Sequence, residues 1–419
     1  MANNIVCGID FGTSNSAVAM VQETRVILAD LENGKPTIPS AVFFNMDENH
    51  TAFGRQAIDE YLDHYSGRFM RSLKSILGSD LMRESTLVGI KRMDFSDIIG
   101  CFIGEIKRRA ESQIRQDLTD VVMGRPVHFV DDDPDADQRA ENELRLIALR
   151  QGFKNIAFEF EPIAAARDYE SHLTAEEVVL VVDIGGGTSD FSVVRLSPEA
   201  RSRTDRAADI LANAGVHIGG TDFDKRFSLH TVMPDLGYGS RLKNNLDVPK
   251  TEYHMLATWH LINFLYTRKN MAAVKAIYLD AERRDLLARF VNVLEQQKGH
   301  EIAARVETAK ITLSDHATTA INLTAIERDW MIEACQSDVI AATESDVAKI
   351  IATARTTVEN GAGLPLSAID TIFMTGGSTA LPQFVDSVQR AFPTAKLMMG
   401  DRFSSVATGL GISAARRYS

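Results

Sequence analysis

Residues 178–194 read VVLVVDIGGGTSDFSVV. An apolar run rich in β-branched residues enters Asp183, three glycines follow (Gly185, Gly186, Gly187), then Thr188, Ser189 and Asp190, then a second apolar run. Valine enrichment bounded by glycine predicts a buried strand, a tight turn and a second strand. A glycine-rich turn lets backbone N–H groups approach an anion with no Cβ in the way. Asp183, at the mouth of the turn, is placed to hold a cation or a metal-bound water beside that anion. Alone, the stretch is also compatible with an ordinary hairpin, because glycine and small polar residues serve turns generally.

The same grammar occurs near the start of the chain. Residues 5–20 read IVCGIDFGTSNSAVAM. An apolar run ends in Asp10, a small polar turn follows at Gly12, Thr13, Ser14 and Asn15, and a second apolar run closes the pattern. Repetition is a statement about architecture. The two copies lie too far apart for a solenoid, so they predict a duplicated α/β domain, each half presenting a phosphate hairpin to a shared cleft.

Composition narrows the class. At 419 residues the chain exceeds a usual single core and predicts two domains or lobes. Apolar residues make up 45% and charged residues 24%, near ordinary globular values. A net charge of −12 argues against nucleic acid or an anionic membrane as the main partner. No apolar run predicts a membrane span or a signal sequence. The three cysteines, Cys7, Cys101 and Cys335, fit neither a zinc site nor a disulfide framework. Cys7 is expected as a reduced core thiol, and the default setting is cytoplasmic.

Further along, strands are expected at residues 25–29 and 41–44, then an irregular, mostly helical stretch to Ile106. Within it, residues 68–79 (RFMRSLKSILGS) predict an amphipathic helix carrying Lys74, which by position is a solvated surface lysine. A strand at 121–129, a helix at 135–151 capped by Gly152 and a strand at 156–160 lead to Glu161-Pro162 and another helix. Glu161 therefore sits at the C-terminal end of a strand, the edge that faces the ligand crevice in α/β sheets, where it could orient water or a metal shell or simply face a helix dipole. Residues 172–177 are a connector. Residues 216–224 (VHIGGTDFD) bring a second Gly-Gly turn, Gly219-Gly220, before a helix. Trp259 and Phe264 are expected in a helical core. Glu307, Lys310 and Ser314 share one helical face, as an ordinary surface ion pair would. Thr324 with Glu327 predicts a capping box opening a helix to about Val339, and a further helix is expected at 344–358. A strand at 369–375 then runs into Gly376, Gly377 and Ser378, placing a helix N-terminus near a ligand.

The ordered set DFGTSN (10–15), EPIAAA (161–166), DIGGGTSD (183–190), GGTDFD (219–224), residues 307–314 and TGGS (375–378) resembles the actin-like ATPase superfamily. It is most similar to the nucleotide-binding domain of the seventy-kilodalton heat-shock chaperones, and within them to short YegD-type bacterial homologues. The resemblance implies two lobes of ribonuclease-H-like fold around an ATP cleft. Lobe I would take residues 1–172 with a small subdomain at about 37–106. Lobe II would take 173–400 with a small subdomain at about 225–314, and 401–419 would return as a helix to lobe I. Asp10 and Asp183 would hold Mg2+ through its waters. Gly12, Thr13, Ser14 and Asn15 would grip the β and γ phosphates from one side; Gly185, Gly186, Gly187 and Thr188 would do so from the other. Lys74 would reach the γ-phosphate and Glu161 would orient the attacking water, making Lys74, Glu161, Asp183 and Thr188 the catalytic set. Glu307, Lys310 and Ser314 would pack around adenine and ribose, with Gly377 and Ser378 beneath, and Gly219, Gly220 and Gly376 would join the nucleotide-binding set.

The chain departs from that family at Ala380, where an arginine usually stacks on adenine, and at Phe403, where an acidic residue is usual. His128 replaces a tyrosine, and residues 131–137 (DDDPDAD) depart as well. No apolar linker or client-binding β-sandwich is recognised, so coupling of ATP to peptide capture within one chain is not expected. The leading expectation is an ATP-binding, slowly hydrolysing, chaperone-like switch with ATP/ADP and Mg2+ as cofactors and a protein client or co-chaperone as partner. Two others stand beside it: a nucleotide-gated assembly module of actin-like or reactivase type, and a small-molecule kinase.

Overall fold

The structure is a computed structural model that describes residues 5–22, 25–63, 65–130, 133–203, 205–400 and 404–418, leaving out the side chains of Ser378 and Ala380. Phe403 lies outside the described residues, as do positions 131–132. The chain packs into two compact units. The first takes in Met1–Val216, Thr353–Thr379 and Gln389–Ser419; the second takes in His217–Ala352 and Ala380–Val388.

The first unit contains the duplication. One sheet uses β1 (Val6–Phe11), β2 (Asn15–Gln22), β3 (Arg25–Leu28), β4 (Asp120–Arg125) and β5 (Asn155–Phe160) in the order β5-β4-β1-β2-β3, with Thr37–Pro39 also pairing β2. The other uses β6 (Glu177–Ile184), β7 (Ser189–Leu196), β8 (Ile210–Val216), β9 (Thr371–Thr375) and β10 (Lys396–Met399) in the order β8-β7-β6-β9-β10. In both sheets the first strand pairs antiparallel with the second and the second with the third. In both it pairs parallel on its other side with the fourth, and the fourth with the fifth. Each repeated motif is thus the central hairpin of an identically ordered sheet, the α/β fold of the actin-like ATPases.

Burial explains why the central strands read as nearly continuous apolar runs. Cys7, Ile9 and Phe11 point to one face, where they meet Ile98, Phe102 and Ile106 of the helix Phe95–Ile114 and Leu144 and Ile147 of the helix Pro134–Arg150. Val6, one residue out of phase, joins the opposite core with Val122, Ile163, Leu410 and Ala414. The helix Ser405–Tyr418 lies against that second face. Its approach is so close that a Cβ on Gly8 would sit 2.2 Å from the Gly411 amide nitrogen, and one on Gly409 would sit 1.8 Å from the Ala164 carbonyl oxygen. Cys7 is buried, its thiol is pushed up by burial, and Sγ donates to the Asp120 carbonyl at 3.6 Å.

Several expectations are corrected. The stretch before Ile106 holds four short strands (His50–Phe53, Gly67–Arg71, Ser85–Val88 and Lys91–Asp94) besides the helices Gly54–Leu62 and Phe95–Ile114. Residues 68–79 do not form an amphipathic helix. Gly67–Arg71 pairs with Ala41–Asn45, Ser72 turns at φ 59°, and Lys74 stands on a single 3-10 turn, Leu73–Ile76, held by buried Leu73 and Leu77. Thr324 and Glu327 open no helix: they lie in the connection of a hairpin, Thr318–Asn322 with Met331–Cys335. Thr324 turns on the Asn322 carboxamide oxygen, and Glu327 accepts from Arg289 at 2.7 Å. One helix, Gln336–Thr356, then replaces the two expected. Phe264 is exposed, whereas Trp259 packs edge-on against His300.

The second unit is mostly helical, with Gly220–Thr231, Arg284–Glu295 and Gly299–Thr312 around buried Phe223, Phe227, Phe290 and Ile302. Among the described residues no helix is long and apolar enough to cross a membrane.

Candidate functional site

The first unit brings together the turns of its two hairpins. In the β1–β2 turn, a Cβ on Gly12 would lie 2.1 Å from the Asn15 carbonyl oxygen, so the chain folds back on itself too tightly for a side chain there. Ser40 pins that turn from a neighbouring segment: its hydroxyl donates to the Gly12 carbonyl at 2.7 Å, its amide donates to the Ser14 carbonyl at 2.9 Å, and its Oγ lies 2.9 Å from Ser16 Oγ. In the β6–β7 turn, the Gly185 amide donates to the Thr188 carbonyl at 2.9 Å, and Thr188 Oγ1 donates to Asp190 Oδ2 at 3.0 Å. The two turns touch. A Cβ on Gly186 would fall 2.1 Å from Ser14 Oγ.

Four charged side chains converge beside these turns. Asp10 and Asp183 are each the last residue but one of β1 and β6, and Glu161 follows β5, so each arrives at the C-terminal edge of a strand. Lys74 reaches in from its 3-10 turn and donates Nζ to Glu161 Oε1. It is also within electrostatic reach of Asp10 and Asp183. Burial pulls the Lys74 ammonium down, but Glu161, Asp10 and Asp183 outweigh it and hold its pKa above the ordinary value. Burial, reinforced by Glu161, raises Asp10 to about 7. Burial raises Asp183 to about 8, with help from Asp190, Glu161 and Asp10. Three half-buried carboxylates facing one ammonium make a surplus of negative charge whenever they ionise.

That surplus is the test of whether the site fits a cation. Hard oxygen donors suit a divalent ion of the magnesium type, which keeps much of its water shell and binds through one or two carboxylates and the substrate's phosphates. Among the described residues no group of three His, Cys, Asp or Glu side chains is arranged to hold a metal directly. Asp10 and Asp183 offer oxygen donors of the kind such an ion takes. Gly376, at φ 87°, closes against the same place: a Cβ there would meet the Ile184 carbonyl at 2.4 Å and Asp183 Oδ1 at 2.6 Å. Gly377 and Ser378 follow on a 3-10 turn, Gly377–Ala380.

The remaining expected residues form a separate cluster within the second unit. Gly219 and Gly220 start the helix Gly220–Thr231, the Gly219 amide donating to Asp222 Oδ2 at 3.0 Å. Lys310 is buried; its Nζ donates to the Gly220 carbonyl at 3.0 Å and lies 2.8 Å from Asp224 Oδ1, so its partner is not Glu307. Glu307 is exposed on the same helix, and Ser314 lies just beyond its end. Two residues gain a role that the motifs did not supply. Asp190, directly across the hairpin from Asp183, adds to the charge on it, a pairing visible in the register of DIGGGTSD. Ser40 acts through long-range contacts that nothing local announces.

Touching glycine turns at the heads of two like sheets, with acidic groups and one lysine beside them, are the arrangement of the actin-like ATPase fold. A family model described as Hsp70 protein matches residues 6–234, just over half of the chain. Chaperone protein DnaK from two strains of Ureaplasma parvum serovar 3 is 32% identical over 227 residues. The same protein from Ureaplasma urealyticum serovar 10 is 30% identical over 227 residues. Each match covers 54% of this chain and 34% of the relative, so the shared stretch spans about a third of those proteins. The chain belongs to the Hsp70 family.

Proposed function

We propose that the chain binds ATP with a magnesium ion and hydrolyses it slowly, serving as a nucleotide-dependent conformational switch of chaperone type. The observation that carries this is the Lys74–Glu161 pair, set with Asp10 and Asp183 beside two touching glycine turns. The glycine turns at residues 12–15 and 185–188 suit phosphate oxygens, with open space beside Gly187 where a side chain would stand. Asp10 and Asp183 would hold a magnesium ion, which when bound would supply neutralisation of phosphate charge. Lys74 turns its ammonium from Glu161 to the γ-phosphate. Glu161, released, accepts a hydrogen bond from water and orients it for in-line attack. Phosphoryl transfer asks the protein mainly for positioning and charge stabilisation, which this set provides.

In this reading Thr188 steadies the second turn, and Gly219, Gly220, Glu307, Lys310, Ser314, Gly376, Gly377 and Ser378 hold the nucleoside. The partner is a protein client or co-chaperone, and the setting is the cytoplasm. Single-turnover hydrolysis tests the chemistry. Glu161→Gln should keep nucleotide binding and slow phosphate release by roughly 100-fold, the ordinary scale of losing a positioned acid–base group. Unchanged hydrolysis in that variant would remove Glu161 from the mechanism.

A further inference from the structure

A second charged cavity lies in the first unit, apart from the nucleotide turns. It has a volume of about 420 Å³ and is lined by Glu159, Arg167, residues 201–203, Ser413, Arg416 and Arg417. In a chain of net charge −12, a concave site with five arginines is anomalous. Its floor is rigid. Arg167, almost fully buried, donates Nη2 to Glu159 Oε2 at 2.6 Å and Nε to Ser413 Oγ at 3.0 Å, and Ser413 Oγ lies 3.1 Å from Glu159 Oε2.

The carboxylates at hand are already paired, and they take up Arg167, Arg206 and Arg203. Glu159 holds Arg167, Glu170 holds Arg206 at 2.7 and 3.0 Å, and Asp209 is shared by Arg206 and Arg203. Arg201 is anchored by neutral carbonyls, those of Glu170 at 2.9 Å and Leu173. Arg416 likewise donates to the Arg201 carbonyl. Backbone carbonyls fix the guanidinium planes without cancelling their charge. Burial, then the charges of Arg167, Arg201 and Arg206, hold the Arg416 pKa below its ordinary value, with Glu170 opposing.

We propose that this cavity binds a small multivalent oxyanion, a phosphoester or a polycarboxylate, between Arg201, Arg416 and Arg417. Planar guanidinium forks match the paired oxygens of both groups. The concave form and the volume are those of a small-ligand site. The site is independent of the nucleotide reading, since it shares no residue with the turns.

The test is calorimetric titration of the full chain, free of magnesium, with pyrophosphate, with citrate and with an oligoglutamate peptide. The variants are Arg416→Gln, Arg417→Gln and Asp183→Ala, each checked for folding by thermal melting. Positions 416 and 417 are exposed, so the glutamine variants should fold. One-site binding of pyrophosphate or citrate is expected, weakened by roughly tenfold in either arginine variant, as loss of one charge-assisted contact implies, and unchanged in Asp183→Ala. Whichever of the two anions binds more tightly identifies the phosphoester or the carboxylate source. The proposal is overturned if neither anion binds the folded parent, if binding is indifferent to the arginine changes, or if only the oligoglutamate binds, which would make the cavity part of a protein interface.

Discussion

Asp10 and Asp183 are carboxylates raised to about 7 and about 8 from an ordinary 3.8, burial being the main cause. In the cation-free chain, the folded state keeps protons that the unfolded chain has released. This stability contribution is complete below about pH 4 and is lost as pH rises towards 8. Melting temperature without divalent ions should therefore fall across that window. Asp183→Asn, which removes one of the crowded charges, should flatten the fall and melt about 1–2 °C above the parent at pH 8, the shift expected of about 1–2 kcal/mol in a chain of this size. A steeper fall in the variant would contradict the assignment of surplus charge. Ser40 offers a different check. Ser40→Ala removes the donor to the Gly12 carbonyl and should destabilise by about 1–3 kcal/mol, the usual range for a buried group left unsatisfied. Denaturant melts should show the loss, and nucleotide titration should show weaker phosphate binding.

At the scale of elements, the helix Ser405–Tyr418 depends on glycines that let it touch backbone. Gly409→Ala would set a methyl 1.8 Å from the Ala164 carbonyl, a contact with main chain that no rotamer relieves. The expected cost is about 1–3 kcal/mol or more, because overpacking must be relieved by moving the helix. Since Ala164 lies in the short helix that begins at Glu161, the same change should also slow hydrolysis. Both central hairpins were legible because strand, turn and strand are contiguous and every signal is local. The strands between residues 50 and 94 were not. They are short, half polar, and take their identity from partners such as Ala41–Asn45. Thr324 and Glu327 carry the residue types of a capping box, but the same types close a turn, and Glu327 is drawn to Arg289 instead. Lys74 shows where local reading ends. Its partner, Glu161, lies 87 residues away, so position alone made it a surface lysine and only the resemblance made it a site residue.

For the whole molecule, the duplication is the organising fact. Two sheets of identical strand order bring two like turns together, and the acidic residues at the strand ends follow from that placement. Under the proposed function, the binding of a cation and a polyanion is coupled: surplus carboxylate charge favours the ion, and the ion favours phosphate. Thermal melts should therefore show a larger stabilisation by Mg·ATP than by ATP or magnesium alone, since a ligand stabilises according to its affinity for the folded state.

The most direct test is calorimetric titration of the purified chain with ATP and ADP, with and without magnesium, on the parent and on Asp183→Ala. One-site, magnesium-dependent binding by the parent, markedly weakened in the variant, is the predicted result. A folded parent that binds neither nucleotide, or binds equally well without magnesium and without Asp183, would contradict it.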